Sequence, residues 1–289
     1  MQKTLSVLLF LCAASALATN VSEYFNGYGS ETRNIVGLGS AVDGWGSEWK
    51  TTHPTHETYS HPSDFLAGTQ LAWDGGKHFT SAGNLIGEND GCFQGVVNNA
   101  AVTAYRFVDA DPDTAGNQPM TGTVWLSAIT KPIGFSQTWM NFFLGAGNNS
   151  GSAAAGLEAA WQPSKGIAPK ARFANGWDTT GKTGHVYQEN DIVFFLVCIE
   201  YNVDGANDRL RVWTNPELGR YEPVSDPAYS FSGADAMGSS FASLGISAAP
   251  TFLVDAIRLS DGDGDAVKGY CFVTGQPDPP PSGTTLLIQ

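Results

Sequence analysis

Cations are scarce in this sequence. Fifteen Lys and Arg stand against 28 Asp and Glu in 289 residues, a formal net charge of −13. That balance repels polyphosphate and anionic headgroups, so nucleic acid is excluded as a partner and anionic membrane surfaces are unfavourable. Long apolar runs are missing as well. Leu5 to Ala14 falls short of the roughly 20 apolar residues that a spanning helix needs, and no later segment approaches that length, so membrane insertion is not expected. No long segment carries the apolar spacing of an amphipathic helix, which argues against an all-α fold.

Cysteine is rare too. Of the four, Cys12 lies in the N-terminal apolar run, behind Leu9-Phe10-Leu11, which lacks the small residue of a lipoprotein site. Cys92, Cys198 and Cys271 could supply one disulfide and a spare thiol, or Cys198 could be a small buried hydrophobe within its apolar strand; the pairing is left open.

What is present begins with an export signal over residues 1–18. Lys3 provides the positive start, Leu5 to Ala14 the apolar run, and Ala16-Leu17-Ala18 the cleavage site, so the mature chain is expected to be secreted. Without Lys3 the count is 14 basic against 28 acidic residues, a charge of −14, which favours neutral glycans and cations as partners. Residues 19–275 read as one all-β domain, because strands rich in aromatic and β-branched residues recur between turn signals. Thr19 to Gly91 reads as long loops over a core.

Strands are then expected at Val102–Asp109, Thr121–Thr130, Thr138–Leu144, Leu157–Trp161, Ala171–Trp177 and Asp191–Tyr201. More follow at Asp208–Thr214, Phe241–Ile246, Thr251–Leu259 and Gly269–Thr274. Over Thr121–Thr130, Val124, Leu126 and Ala128 alternate with Thr123, Trp125, Ser127 and Ile129. Both faces carry apolar groups, so this strand should lie inside a covered sheet. Asn202 to Asn207 has the Asp-Gly chemistry of a hairpin turn.

Residues 276–283 form a Pro-rich linker, since proline favours extended geometry and cannot donate to a ladder. The tail 284–289 is uncharged and strand-like, and Leu286, Leu287 and Ile288 could add to a sheet edge of another copy and build a filament or matrix by β-augmentation. A strand folded back on its own domain, or a loose end, is the alternative.

Two stretches carry a family likeness. Asn207-Asp208-Arg209-Leu210-Arg211-Val212-Trp213-Thr214-Asn215-Pro216 and Phe252-Leu253-Val254-Asp255-Ala256-Ile257-Arg258-Leu259 hold a "W-x-N-P" turn and a later "V-D-x-I-R" strand. With the Gly- and Trp-rich opening, Tyr24 to Gly29 and Gly44 to Trp49, they resemble the LamG-like, concanavalin A-like domains of secreted bacterial proteins, many of which carry a PEP-CTERM sorting tail. The resemblance covers both ends and the later half of the domain. It implies a concanavalin-like jelly-roll β-sandwich of two antiparallel sheets and assigns no reaction. No PEP motif, membrane helix or basic tail follows Pro281, so the resemblance does not bring the sorting anchor with it.

Several constellations could carry chemistry. Trp45, Trp49 and Trp73 sit among glycines in the early segment and are the candidates for stacking on the apolar face of a pyranose, as in binding a polysaccharide or cell-surface glycan. Asp261, Asp263 and Asp265 alternate in a turn and could wrap oxygens around Ca²⁺, although Ala266 and Phe272 stand where an EF-hand needs Gly and Glu; an acidic hairpin turn is the plain alternative. Asp109, Asp111 and Asp113 form a second acidic turn. His53, His56 and His61 could share Zn²⁺ or Cu²⁺, yet Pro54 and Pro62 and the lack of a signature spacing favour a solvated loop. Asn20-Val21-Ser22 and Asn148-Asn149-Ser150 match the glycan-acceptor pattern.

A glycosidase of this fold needs paired carboxyls about 5 Å apart, as in E-x-D-x-x-E. No such run occurs. Glu200 and Asp204 are the nearest acidic pair on the long strand, so an enzyme reading would be a polysaccharide hydrolase or lyase tested first at Glu200. The expected function is a non-catalytic glycan-binding module.

Overall fold

The computed structural model describes residues 20–23, 33–34, 45, 49–51, 63–67, 91–95, 104–107, 122–132, 138–144, 155–162, 166–173, 176–177, 191–234, 243–248 and 252–280. In chain order the strands are β1 (Asn20–Glu23), β2 (Arg33–Asn34), β3 (Lys50–Thr51), β4 (Ser63–Ala67), β5 (Gly91–Gly95), β6 (Ala104–Phe107), β7 (Thr123–Pro132) and β8 (Thr138–Leu144). They continue as β9 (Ala155–Gln162), β10 (Gly166–Phe173), β11 (Gly176–Trp177), β12 (Val193–Glu200), β13 (Asn207–Thr214), β14 (Tyr229–Ala234), β15 (Ser243–Ala248) and β16 (Phe252–Ser260). A 3₁₀ turn, Gly262–Gly264, then leads into one helix, α1 (Ala266–Thr274).

Every pairing among the described residues is antiparallel. One sheet of nine strands runs β14-β13-β12-β7-β16-β5-β4-β2, with β1 also on β16; the other, of seven, runs β11-β10-β9-β8-β15-β6-β3. The chain crosses repeatedly between the sheets, and β16 and β5 of the first pack against β8 and β15 of the second. This is the all-β sandwich of two antiparallel sheets expected from the sequence.

The centre of the larger sheet explains its own sequence. Register places Val197 between Leu126 and Val212, and Ile199 between Val124 and Leu210, all buried. The opposite face of the same three strands carries the row Trp125, Cys198, Arg211 and the row Ser127, Leu196, Trp213. Because both faces are covered, β12 reads as a continuous apolar run instead of an alternation. At Asp255–Arg258 the pairing of β16 with β7 slips by a bulge, and Ala256 takes a positive φ of 48° there. On its other edge β16 pairs with β5 before the bulge and β1 after it.

Two expectations are corrected. Gly269–Thr274 is helical, since α1 starts on the Asp265 side chain, which accepts from the N–H groups of Val267 and Lys268, and stops at Gly275 in the left-handed region, φ 69°. The caps outweigh the β-forming Tyr, Cys, Phe, Val and Thr between them. The stretch from Thr19 to Gly91, expected as loops, contributes β1, β2, β3, β4 and the start of β5, strands of two to five residues. Strand β14 was not anticipated either.

Candidate functional site

The sequence-derived candidates fall in different places. Trp45 and Trp49, expected as exposed stacking platforms, are buried at 3% and 0% exposure. The reason is a cluster joining the two sheets: Arg106 of β6 pairs with Glu23 of β1 at 2.5 Å and lies over both indoles, 4.6 Å from the Trp45 ring centroid and 5.6 Å from that of Trp49. Trp49 Nε1 donates to the same Glu23 oxygen at 3.0 Å, and Trp45 Nε1 donates to the Ser22 carbonyl at 2.7 Å. Each indole N–H is satisfied and each ring face is occupied, so these residues hold the sandwich together. Trp73, His53, His56, His61, Leu286, Leu287 and Ile288 lie outside the described residues, as do Asp109, Asp111 and Asp113.

Asp261, Asp263 and Asp265 do not make a hairpin turn. Asp261 Oδ1 accepts from the Asp263 N–H at 3.1 Å, and Asp265 Oδ1 accepts from the Val267 and Lys268 N–H groups at 3.0 and 3.3 Å. The carboxylates of Asp261 and Asp265 are used as caps for successive turns. Gly262 sits where a Cβ would come within 2.6 Å of the Gly269 nitrogen, at φ +62°, which accounts for glycine in this acidic run. Among the described residues no three His, Cys, Asp or Glu are grouped to hold an ion.

The family-like motifs serve architecture. In W-x-N-P, Asn215 adopts a left-handed φ of 47°, its side-chain oxygen accepts from the Phe194 N–H at 2.7 Å and its own N–H donates to the Phe194 carbonyl at 2.8 Å. In V-D-x-I-R, Asp255 and Arg258 flank the bulge, and Arg258 donates to the Phe272 carbonyl at 3.0 Å, tying β16 to α1.

The outer face of the nine-stranded sheet is divided in two. Over its apolar half, α1 and the segment 215–228 form a lid. Trp125 stacks on Trp213 at 5.8 Å and meets the edge of Tyr270 at 5.2 Å, Tyr270 donates to the Gly219 carbonyl, and Ser127 donates to the Val273 carbonyl. Cys198 and Cys271 are both free thiols buried in this cluster, so neither forms a bridge with the other. Burial, with the Glu200 carboxylate second, pushes the Cys198 thiol up to about 12.

The other half is polar and part-open. Arg209 donates through Nε and Nη2 to the two oxygens of Glu200, both at 2.5 Å, and Arg211 Nη2 reaches Glu200 at 3.1 Å. The hydrogen bonds that Arg209 donates to Glu200 raise the guanidinium's pKa further. Side-chain exposures are 38% for Arg209, 28% for Arg211 and 15% for Glu200. Directly opposite on β14 stand Ser232 against Arg209 and Ser230 against Arg211, both serines exposed, and Thr123 of β7 lies opposite Glu200. Cross-strand partners share a face. Arg211 lies 5.3 Å from the Trp213 ring, and its Nε is buried without a hydrogen-bond partner, as is Trp125 Nε1 in the same register row.

Two guanidiniums on one carboxylate leave a local positive charge on a strongly acidic protein. Arg209 and Arg211 were not singled out in the sequence, although their alternation after a hairpin from Glu200 carries the signal: three charged groups brought to one face by register. Glu200 itself is paired with Arg209 and Arg211, and Arg211 in turn reaches the Cys198 sulfur.

No protein-family model matches the chain, and no curated protein matches it. Solved structures similar in fold include the Caenorhabditis elegans galectin LEC-6, 13% identical with a TM-score of 0.31 over 54% of this chain and 94% of that one. Lectin II from Ulex europaeus is 10% identical with a TM-score of 0.35, covering 60% of this chain and 87% of its own. CG-16, a homodimeric agglutinin from chicken liver, is 14% identical with a TM-score of 0.31, covering 50% and 95%.

Proposed function

We propose that the protein is a secreted, non-catalytic β-sandwich that binds an extracellular or cell-surface glycan on the open half of the outer face of its nine-stranded sheet. The observation that carries this is the surface made by Ser230, Ser232, Arg209, Arg211, Glu200 and Thr123. It is rich in hydrogen-bonding groups and set on four paired strands, the support that a binding constellation needs. Export rests on the signal-like residues 1–18, and the finer LamG-like kinship on the two motifs. Ca²⁺ belongs to the reading as an aid at Asp261 to Asp265. A glycan array probed with and without chelator tests it: binding to at least one glycan class is expected, and its absence across neutral and acidic glycans removes the reading.

A second reading is self-association through the C-terminal strand into a filament. It is favoured by β14, which ends the larger sheet and pairs only with β13 among the described residues. Electron microscopy of the full chain beside one lacking residues 284–289 decides it, with fibres expected only from the full chain.

A further inference from the structure

We propose that this face selects anionic glycans, with Arg209 and Arg211 receiving a carboxylate or sulfate carried on the sugar chain. The inference rests on the glycan-binding reading above and names the class of ligand. Its basis is an incomplete ion network. Glu200 takes both donors of the Arg209 fork and one from Arg211, and has no further charge to offer. Arg211 retains a buried Nε without a partner. That Nε is closed to solvent and out of a ligand's reach; what the two guanidinium side chains offer an oxyanion is their exposed part, 38% of Arg209 and 28% of Arg211.

The two arginines stand two residues apart on one face of β13, about 7 Å along the strand, while the four strands from β14 to β7 span about 14 Å. An oxyanion seated at Arg211 would therefore have Ser230 beside it across one interstrand step. Ser232 and Thr123 remain within the span of the patch for ring hydroxyls. Planar guanidiniums suit this task, because they hold carboxylates and sulfates through paired, charge-assisted hydrogen bonds. The charge of the whole molecule does not forbid it. At about 0.15 M salt the Debye length is about 8 Å, so an anion docked on the patch feels the local guanidiniums more than the distant carboxylates.

The test uses the mature full chain on surfaces of polygalacturonate, dextran sulfate and uncharged dextran, with affinity measured at several salt concentrations. Binding to one or both polyanions and not to dextran is expected, and the two polyanions separate a carboxylate preference from a sulfate preference. Ser232→Glu, which sets a carboxylate opposite Arg209 on an exposed edge position, should weaken polyanion binding at least tenfold while leaving the melting temperature unchanged. Arg211→Ala should do the same, with its fold checked by circular dichroism. Polyanion binding unaffected by both substitutions, or equal binding to dextran, overturns the anionic selection and leaves glycan binding intact. No binding to any glycan in the array removes the broader reading with it.

Discussion

Arg106→Met is the sharpest perturbation of the sandwich, because it removes the guanidinium paired with a buried carboxylate. Glu23 and Arg106 are 5% and 3% exposed at their side chains, and their 2.5 Å contact links β1 in one sheet to β6 in the other. Removing one partner of a buried ion pair costs about 3–5 kcal/mol, since the remaining charge is left uncompensated in a poorly polarisable surrounding. The Trp49 N–H still donates to Glu23, which keeps the expected loss near that range and not above it. For a domain of this size each kcal/mol moves the melting temperature by about 2–4 °C, so the variant should melt about 6–20 °C lower. Glu23→Gln combined with Arg106→Met should regain most of the loss, because neither charge of the pair is then buried. Thermal and urea melts of the single and double variants provide the measurement. A drop under about 2 °C for the single variant refutes the buried-pair argument. So would a Trp49→Ala protein that melts normally and loses only glycan affinity, which would return Trp49 to a stacking role.

Alkaline titration offers a second check. The Cys198 thiol is raised by burial from 9.0 to about 12, and the Tyr201 and Tyr270 hydroxyls are also raised by burial. The folded value exceeds the unfolded one, so the stabilisation is complete below about pH 9 and is lost as pH rises toward 12. Urea midpoints should fall through that window and fall less in Cys198→Ala; an identical slope in the variant contradicts the assignment. At pH 8 Ellman's reagent should leave Cys198 unmodified until denaturant is added. Asp265→Ala should cost about 0.5–2 kcal/mol as a lost helix cap. If chelator lowers the wild-type melting temperature and leaves the variant's unchanged, Asp265 is a calcium ligand as well as a cap.

The strongest strands were legible because burial on two faces leaves a mark in composition. Val193 to Ile199 could hardly be anything but a central strand, and Thr123 to Thr130 showed apolar groups at both parities. The early strands left no such mark. Asn-Val-Ser-Glu and Ser-Asp-Phe-Leu-Ala are too short to show a period, and their pairing with β16 and β5 is set by contacts far along the chain. Helix α1 carries a cap at each end, Asp265 and Gly275, but the β-forming residues between them give it the composition of a strand.

Exposure was the property least visible in the sequence. Glycine neighbours made Trp45 and Trp49 look like loop residues, whereas their environment is fixed by Arg106 of β6, more than fifty positions away in the chain. The arginine face was within reach of sequence reasoning, since a hairpin from Glu200 through Asn202–Asn207 forces Arg209 and Arg211 onto the Glu200 side once the register is fixed. The same register places Trp213 two residues further along that side, under the lid of α1 and the segment 215–228. One face thus passes within a single strand from a closed apolar half to an open charged half. Closing the apolar half with a helix and leaving two guanidiniums uncovered on a protein poor in cations is what directs the search for a ligand to Arg209 and Arg211.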